Sequence, residues 1–169
     1  MESSTDRRRR KQIRLPHETY RQGHVFSLTV STRERYKWFE LYRELATQVE
    51  ELLLLTAGER GTELFAWCLM PEHLHLLACD EDVVGFVRLV KGRSVPVARR
   101  FEPSRRLWQR SFFDHALRRA ESVERVARYI LANPVRAGLV EHATDYRWSG
   151  SLVWPQWRDH DWLTSSGVV

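Results

Sequence analysis

Apolar and polar residues alternate along residues 24–32 (HVFSLTVST), so that Phe26, Leu28 and Val30 share one side of an extended chain. A period of two is typical of a strand with one buried face, and it predicts a strand here. Further apolar runs, bounded by turn residues or charges, follow along the chain. They predict strands at residues 62–70, 73–79 and 107–118.

Three other segments carry apolar residues at helical spacing. They predict helices over residues 40–57, 82–101 and 122–133. Gly58 is expected to end the first helix, and Asp82 is expected to cap the second. Gly92 and Pro96 fall inside the second pattern, which predicts a kink or a break there because proline removes a backbone donor.

The third helix has the clearest boundaries. Ser122 stands at its start, where a hydroxyl can accept a hydrogen bond from a free backbone N–H, and Pro134 marks its end. A short second turn of helix is expected at residues 135–140, and the Trp-rich segment after it shows no pattern of a regular element. The apolar positions expected to be buried are Val123, Val126, Ala127, Ile130 and Leu131.

The order strand, helix, strand, strand, helix, strand, helix fits the split βαβ or ferredoxin-like arrangement. The predicted fold class is therefore α+β, with helices packed on an antiparallel sheet. One domain is expected, because the chain has 169 residues and shows no internal repeat or linker. This architecture carries many unrelated activities, so it predicts no function by itself.

Composition excludes several classes of protein. With 43% hydrophobic and 11% aromatic residues the chain can form a core, which excludes global disorder. No apolar run approaches the ~18 residues of a membrane-spanning helix, and no apolar segment follows the charged N-terminus as in a secretory signal. Two cysteines, Cys68 and Cys79, are too few for a disulfide framework. A soluble protein of a reducing cytoplasm is expected.

Charge is distributed unevenly along the chain. The net charge is +5, but residues 84–136 alone hold thirteen cations and four acids, a balance of +9. Residues 1–14 carry a balance of +4 and are expected to form a disordered arm that contacts phosphates without reading sequence. A basic stripe of this kind indicates a polyanionic partner such as nucleic acid. The alternative is an ordinary solvated surface, because 24 of the 27 cations are arginine.

The basic segment interleaves its cations with aromatic residues. Arginine binds phosphate through its forked guanidinium, and an exposed ring can stack on an unpaired base. Trp108, Phe112 and Phe113 could equally be core residues, and one of the last two must be, because neighbours on a strand face opposite sides. The cations expected to contact nucleic acid are Arg88, Lys91, Arg93, Arg99, Arg100, Arg105, Arg106, Arg110, Arg118, Arg119 and Arg136.

His73 and His75 are two residues apart on a predicted strand, so both imidazoles project from one face while Leu74 enters the other. Two histidines at this spacing can bind one divalent metal ion and leave coordination positions open for a substrate. The alternative is a chance pair of surface or core histidines. A second alternative is a zinc site that adds Cys68 and Cys79, although the spacing C-x4-H-x-H-x3-C matches no common zinc motif.

Tyr129 and Asn133 lie four residues apart on the last predicted helix, which places their side chains on one face. An amide oxygen can ligate a hard cation, and a tyrosine hydroxyl beside it can act as a nucleophile. A phenol with a pKa near ~10 attacks poorly at neutral pH without such help. The alternative is structural, since tyrosine packs well in helices and an asparagine before a proline is an ordinary helix end.

Three blocks of sequence, in this order, resemble the single-tyrosine transposases of the HUH class, and most closely the REP-associated tyrosine transposases. The first is FAWCLMPEHLHLL at residues 65–77, whose histidines stand in the MPxHxH context of the family. The second is LWQRSFFDH at residues 107–115, and the third is YILANPVRAGLV at residues 129–140, which resembles the tyrosine helix of the family. DYRWSGS at residues 145–151 resembles a further element. The resemblance runs from residue 23 to residue 154.

The resemblance implies a role for each matched residue. His73, His75 and Asn133 would ligate Mg²⁺ or Mn²⁺, and Tyr129 would attack a phosphate of single-stranded DNA that carries a REP-like palindromic hairpin. The products would be a 5′-phosphotyrosine and a free 3′-OH, and attack by a 3′-OH on that linkage would rejoin DNA. The linkage conserves bond energy, so no ATP is needed, in agreement with the absence of a nucleotide-binding glycine loop from the sequence.

The resemblance also implies an RRM-like HUH palm over residues 15–155, followed by a C-terminal tail at residues 156–169. The protein would act as a monomer or homodimer in the bacterial cytoplasm, on the nucleoid when bound to DNA. The alternative function is a domesticated protein that binds REP-type hairpins with little or no transposition. Two residues depart from the family pattern: Pro96 falls in a helix that relatives run unbroken, and Gly150 replaces a frequent serine in an expected surface turn.

Overall fold

The computed structural model describes residues 24–118, 122–159 and 162–163, and within them five strands form one sheet. The strands are β1 (Phe26–Ser31), β2 (Glu63–Met70), β3 (His73–Cys79), β4 (Phe113–Ala116) and β5 (Ser149–Gly150). The helices are α1 (Trp38–Leu41), α2 (Arg43–Arg60), α3 (Val83–Ala98), α4 (Val123–Leu131) and α5 (Asn133–Arg136), with short 3₁₀ helices at Arg33–Arg35, Ala143–Asp145 and Pro155–Arg158. The arm predicted at residues 1–14 lies outside the described residues.

The paired strands of this sheet are all antiparallel, and they lie in the order β4-β1-β3-β2-β5. The first four strands of this order, with α2 connecting β1 to β2 and α3 connecting β3 to β4, form the ferredoxin-like arrangement. The predicted α+β class is confirmed. β5 extends the sheet beyond β2 through the pairs Trp67↔Gly150 and Cys68↔Ser149.

The sheet separates two hydrophobic clusters, because alternate residues of a strand point to opposite faces. Phe26, Leu28 and Val30 of β1 belong to the cluster that α1, α2 and α3 complete. On the other face, Cys68 and Leu77 pack with α4, and we call this surface the α4 face. The alternation predicted for β1 is confirmed, and α4 lies across the sheet from α2 and α3.

The strand predicted at residues 107–118 is wrong over its first half, since β4 has only four residues. Before β4 the chain contacts the end of β1 through an isolated antiparallel bridge between Thr32 and Trp108 and through the Gln109 N–H, which donates to the Ser31 carbonyl. The Lys91 ammonium group binds the same stretch. It donates hydrogen bonds to the carbonyl oxygens of Gln109 (2.6 Å) and Arg110 (3.3 Å). These carbonyl groups therefore bond to a side chain of α3 rather than to a neighbouring strand, and the backbone here is irregular.

Two helices continue through residues at which their sequence patterns predict an end or a break, although α3 stops at Ala98, before the predicted end at residue 101. α2 runs past Gly58 and stops before Gly61, whose φ of 66° lies in the left-handed region that favours glycine. α3 continues through Gly92 and Pro96 without the predicted break. Pro96 stands in the last turn, so its missing N–H removes a single hydrogen bond near the helix end. None of the described helices is both long and apolar enough to cross a membrane.

Both predicted helix caps are confirmed. Asp82 accepts a hydrogen bond from the Gly85 N–H at the start of α3, and Ser122 accepts one from the Arg125 N–H at the start of α4. The second turn of helix predicted at residues 135–140 is observed only in part, because α5 begins at Asn133 and ends at Arg136. The predicted buried positions of α4 are fully buried at Ala127, Ile130 and Leu131 and partly buried at Val123 and Val126.

The sequence pattern predicts neither β5 nor the packing around it. The strand has two residues, which is too short for alternation to show. The expected surface turn at Gly150 is wrong: this residue is buried, and a Cβ atom there would come within 2.4 Å of the Trp67 ring. Glycine is therefore required by packing. Further along, Trp157 is buried in the cluster on the α4 face, so the described part of the predicted tail packs on the sheet.

Candidate active site

Two histidines meet on the α4 face of the sheet. Leu74 and Leu76 are buried in the opposite cluster, so the period of β3 directs His73 and His75 to the α4 face. Their Nε2 atoms lie 2.9 Å apart, and their ring centroids lie 4.5 Å apart at an interplanar angle of 87°. The structure thus places the two imidazoles side by side, as their spacing in the sequence predicts.

Each imidazole is held through its other nitrogen. The Nδ1 atom of His73 lies 3.2 Å from Oε1 of Glu72, and the Nδ1 atom of His75 lies 3.1 Å from Oγ1 of Thr29. In the tautomer with the proton on Nδ1, each ring donates to its oxygen partner and keeps a lone pair on Nε2. Metal-binding histidines are commonly oriented by a partner of this kind.

The separation of the two Nε2 atoms fits ligation of one metal ion. Neighbouring ligands of an octahedral ion with bonds of 2.0–2.1 Å lie about 3 Å apart. The observed distance between the two nitrogens is 2.9 Å. His73 and His75 are therefore already spaced as adjacent ligands of an ion such as Mg²⁺ or Mn²⁺.

Burial keeps both imidazoles neutral. Burial lowers the pKa of His75 to about 3, and the closeness of His73 and the positive charges of Arg136 and Arg35 act in the same direction. Burial also lowers the pKa of His73, although the carboxylate of Glu72 acts in the opposite direction. Since the neutral imidazole is the form that binds metal ions, both rings are in the metal-binding form at neutral pH.

The alternative zinc site is not formed. Among the described residues, no three His, Cys, Asp or Glu side chains are grouped so that they could hold a metal ion. Cys68 is buried, its Sγ lies 3.6 Å from Sδ of Met70, and burial raises the pKa of its thiol. Burial raises the pKa of Cys79 as well.

Tyr129 and Asn133 flank the junction of α4 and α5, and Arg136 connects them. The Arg136 guanidinium lies 3.7 Å from the centre of the Tyr129 ring. Its Nη2 donates to Oδ1 of Asn133 at 2.6 Å, while Nδ2 of Asn133 donates to the Ile130 carbonyl at 3.1 Å. Tyr129 is 51% exposed, so a substrate can reach its side chain.

The histidine pair and the tyrosine helix lie on the same side of the sheet. α4 packs on β2 and β3 through the α4 face, which is also the face that carries His73 and His75. The positive charge of Arg136 acts on His75, where it disfavours the protonated imidazole. The structure therefore brings the predicted metal ligands and the predicted nucleophile to one side of the molecule.

Comparison with known proteins identifies the family of this chain. Residues 21–133 match the profile of a protein family described as IS200-like transposase, and the match covers more than half of the chain. The chain belongs to the IS200-like transposase family.

One curated relative and one solved structure agree with this assignment. This chain is 27% identical over 137 residues to the REP-associated tyrosine transposase of Escherichia coli (strain K12). The aligned region covers 77% of this chain and 78% of the relative. A solved structure of a REP-associated tyrosine transposase bound to a REP hairpin shares the fold with a TM-score of 0.60, at 24% identity over 75% of this chain and 76% of that chain. The resemblance to REP-associated tyrosine transposases is confirmed.

Several of the cations predicted to contact DNA bind groups of the protein itself. Arg136 contacts Tyr129 and Asn133, as described above, and Arg105 lies over the Tyr36 ring at 4.4 Å. Three more fasten α3 to its neighbours. Lys91 holds the backbone before β4, as described above. Arg93 pairs with Glu59 of α2 at 2.6 Å, and Arg100 donates a hydrogen bond to Gln48 of α2. These contacts fasten α3 and its C-terminal end to neighbouring elements, and contact with DNA stays a prediction for all three cations.

The cations predicted to contact DNA are mostly exposed to solvent; Arg119 lies outside the described residues. Those that are exposed are Arg88, Arg99, Arg105, Arg106, Arg110, Arg118 and Arg136. Four of them, Arg99, Arg105, Arg106 and Arg110, line an open cavity of about 610 Å³ beside the C-terminal half of α3. A concave surface with this charge suits the phosphates of a nucleic acid.

The three aromatic residues of the basic segment have different environments. Trp108 and Phe112 are buried, and Nε1 of Trp108 donates to the Ser94 hydroxyl at 2.7 Å, so the core alternative is correct for both. Phe113 is 61% exposed. Of the three rings, Phe113 is therefore the one that DNA can reach.

Three further residues of the site have no role in the sequence patterns described above. Thr29 reaches His75 through the strand register, which a single sequence does not reveal. Glu72 directly precedes His73, so its adjacency could have been inferred. Arg35 lies 3.7 Å from Glu72, and its φ of 55° is uncommon for a residue other than glycine.

Proposed function

We propose that this protein is a metal-dependent endonuclease and strand transferase of single-stranded, hairpin-bearing DNA, with Tyr129 as its nucleophile. The observation that carries the proposal is the histidine pair, whose Nε2 atoms lie 2.9 Å apart while both Nδ1 atoms contact oxygen. Membership of the IS200-like transposase family supports DNA as the substrate.

We propose His73, His75 and Asn133 as the protein ligands of Mg²⁺ or Mn²⁺. Oδ1 of Asn133 accepts a hydrogen bond from Arg136, and an amide oxygen has a second lone pair that remains available for a cation. A divalent ion bound there would polarise the target phosphate and offset the negative charge that develops on it. The neutral state of both histidines supports this role.

The covalent step belongs to Tyr129. Its Oη atom gives up its proton and attacks the phosphorus, the bond from phosphorus to the 3′ oxygen breaks, and the released oxygen takes up a proton to become a 3′-OH. The 5′ phosphate remains on the tyrosine as a covalent intermediate. Attack by a 3′-OH reverses the step, releases the tyrosine and joins two DNA ends. Arg136, which covers the Tyr129 ring, orients the nucleophile and offers positive charge to the phosphate.

The proposed partner is a DNA hairpin with a single-stranded flank. The Escherichia coli relative is named a REP-associated tyrosine transposase, and the solved protein of the same type is bound to a REP hairpin. The exposed arginines along α3 and before β4 support a polyanionic partner here. Binding that depends on such contacts weakens as salt rises, because counterions are released when phosphates are neutralised.

A nicking assay with end-labelled hairpin oligonucleotides tests this function. Wild-type protein should nick the flank in Mn²⁺ and not in EDTA. His73→Ala and His75→Ala should each remove Mn²⁺ stimulation while hairpin binding persists in a gel shift. Cleavage that survives chelation and both substitutions would contradict the metal role. Hairpin binding without cleavage in any divalent metal would favour the alternative of a binding protein that does not transpose.

A further inference from the structure

A cavity of about 330 Å³ opens on the α4 face beside the histidine pair. Its lining includes Thr29 and Ser31 of β1, Arg35, Gln109, Ser111 and Phe113. We propose that this cavity binds one unpaired nucleobase of the single-stranded DNA, next to the phosphate that is cleaved. The proposal rests on the proposed function, because it takes the DNA strand across the histidine pair.

The strand register connects the cavity to the histidines. Thr29 pairs with Phe113 of β4 on one side and with His75 of β3 on the other, so the three residues form one row across the sheet. Neighbouring strands lie about 4.8 Å apart, which places the Phe113 and His75 backbones about 10 Å apart. Residues in one row project from the same face. A short stretch of single-stranded DNA can therefore contact both Phe113 and His75.

The chemistry of the lining matches a nucleobase. Phe113 is an exposed ring, 61% accessible, in a cavity whose other groups are mostly polar. An exposed ring stacks on any base, since every base has a π-face. Gln109 adds an amide that can both donate to and accept from a base edge. Its backbone is fixed on both sides, because its N–H donates to Ser31 and its carbonyl accepts from Lys91.

Arg35 supplies the charge between the cavity and the histidines. Its guanidinium lies 3.7 Å from Glu72, and the same carboxylate oxygen contacts Nδ1 of His73. The Arg35 side chain is 64% exposed and lines the cavity. It is therefore placed to bind the phosphate that links the stacked base to the phosphate at the histidines.

Two oligonucleotide probes distinguish base stacking from binding of the DNA backbone. The affinity of the full chain for each probe is measured in metal-free buffer. One is single-stranded oligo(dA) of about 15 nucleotides, within the footprint of single-strand binding folds, and the other is an abasic strand of the same length. Phe113→Ala should weaken oligo(dA) binding about tenfold, the loss of one stacked base, and leave the abasic strand unaffected. Arg35→Gln should weaken both probes. Phe113→Trp should restore oligo(dA) binding.

Two further variants show whether the cavity itself is the site. Ser111→Leu narrows the cavity while keeping Phe113, and it should reproduce the selective loss for oligo(dA). Leu55→Ala removes an equally exposed apolar side chain from α2, on the other side of the sheet, and should change neither affinity. Equal losses for both probes in Phe113→Ala, or no loss, would overturn the proposal. Failure of the nuclease function would show separately, as absent nicking by the wild type.

Discussion

The Oγ1 atom of Thr29 lies 3.1 Å from the Nδ1 atom of His75, across the pairing of β1 with β3. This contact orients the imidazole and holds its Nε2 atom 2.9 Å from Nε2 of His73. Thr29→Val retains the shape of the side chain and removes the hydroxyl. Because such partners of ligating histidines contribute about 10- to 100-fold to metal affinity, Mn²⁺ should bind more weakly by that factor.

Titration of Mn²⁺ followed by electron paramagnetic resonance, without DNA, measures this effect. Thr47→Val is the matched control, because Thr47 belongs to α2 on the opposite side of the sheet. It should leave the Mn²⁺ affinity at the wild-type value. Equal affinity in the Thr29 variant and the wild type would show that the hydroxyl does not support the metal site.

Substitutions of Arg93 and Arg106 distinguish a structural role of the basic segment from a role in DNA binding. Arg106 is exposed in the arginine-lined cavity, and Arg106→Gln should weaken hairpin binding and lower its salt slope by about 1. Arg93 pairs with Glu59, and Arg93→Gln should lower the free energy of unfolding by about 1 kcal/mol with little change in that slope. Anisotropy at several salt concentrations and urea unfolding measure the two effects. The reverse pattern would contradict this division.

Substitution of glycine by alanine should have opposite effects on the free energy of unfolding at Gly150 and at Gly58. A Cβ atom at Gly150 meets the Trp67 ring at 2.4 Å, so Gly150→Ala should destabilise the protein by about 1–3 kcal/mol through overpacking. Gly58 lies in α2 with no atom within 4 Å of its would-be Cβ, so Gly58→Ala should stabilise by about 0.5–1 kcal/mol. Urea unfolding measures both values. Equal effects at the two positions would rule out the contact with Trp67 as the cause.

Asp80 makes the stability of the fold depend on pH. Burial alone raises the pKa of its carboxyl, but two hydrogen bonds from Arg60 (3.0 and 2.6 Å), with others from Thr62 and the Asp82 N–H, outweigh it and leave the pKa below its ordinary value. The stabilisation is therefore complete above the unfolded-state pKa of about 4 and is lost as pH falls through the lower folded-state value.

Asp80→Asn removes this dependence. Its free energy of unfolding should be about 1–3 kcal/mol lower than that of the wild type at pH 7, and the difference should shrink on acidification below about pH 4. Urea unfolding between neutral and acidic pH gives the two curves. Parallel curves would mean that the Asp80 carboxylate is not the group whose protonation destabilises the fold.

The two residue pairs of the candidate site could be predicted from the sequence, because each depends only on local spacing. A period of two places His73 beside His75, and helical spacing places Tyr129 near Asn133, whatever the rest of the chain does. Their supporting partners come from long-range contacts. The Thr29–His75 contact joins strands 46 residues apart in sequence, so neither residue indicates the other.

Tertiary contacts also explain where the sequence pattern failed. Lys91 lies on α3 with the cations predicted to bind DNA, yet its ammonium group binds the carbonyl groups of Gln109 and Arg110 before β4. Gly150 resembles a turn residue until the Trp67 ring beside it is known. Arg136 was predicted to contact DNA, and the structure shows in addition that it covers Tyr129 and binds Asn133.

Covalent capture of hairpin DNA tests the central claim most directly. Hairpin DNA labelled at its 3′ end is incubated with protein and Mn²⁺ and then separated on a denaturing gel. Wild-type protein and Tyr42→Phe, which alters a tyrosine beside α1 and α2, should both carry label. Tyr129→Phe keeps the ring under Arg136 and should bind the hairpin normally, yet show neither nick nor labelled protein. A labelled protein band that persists in Tyr129→Phe would contradict the account.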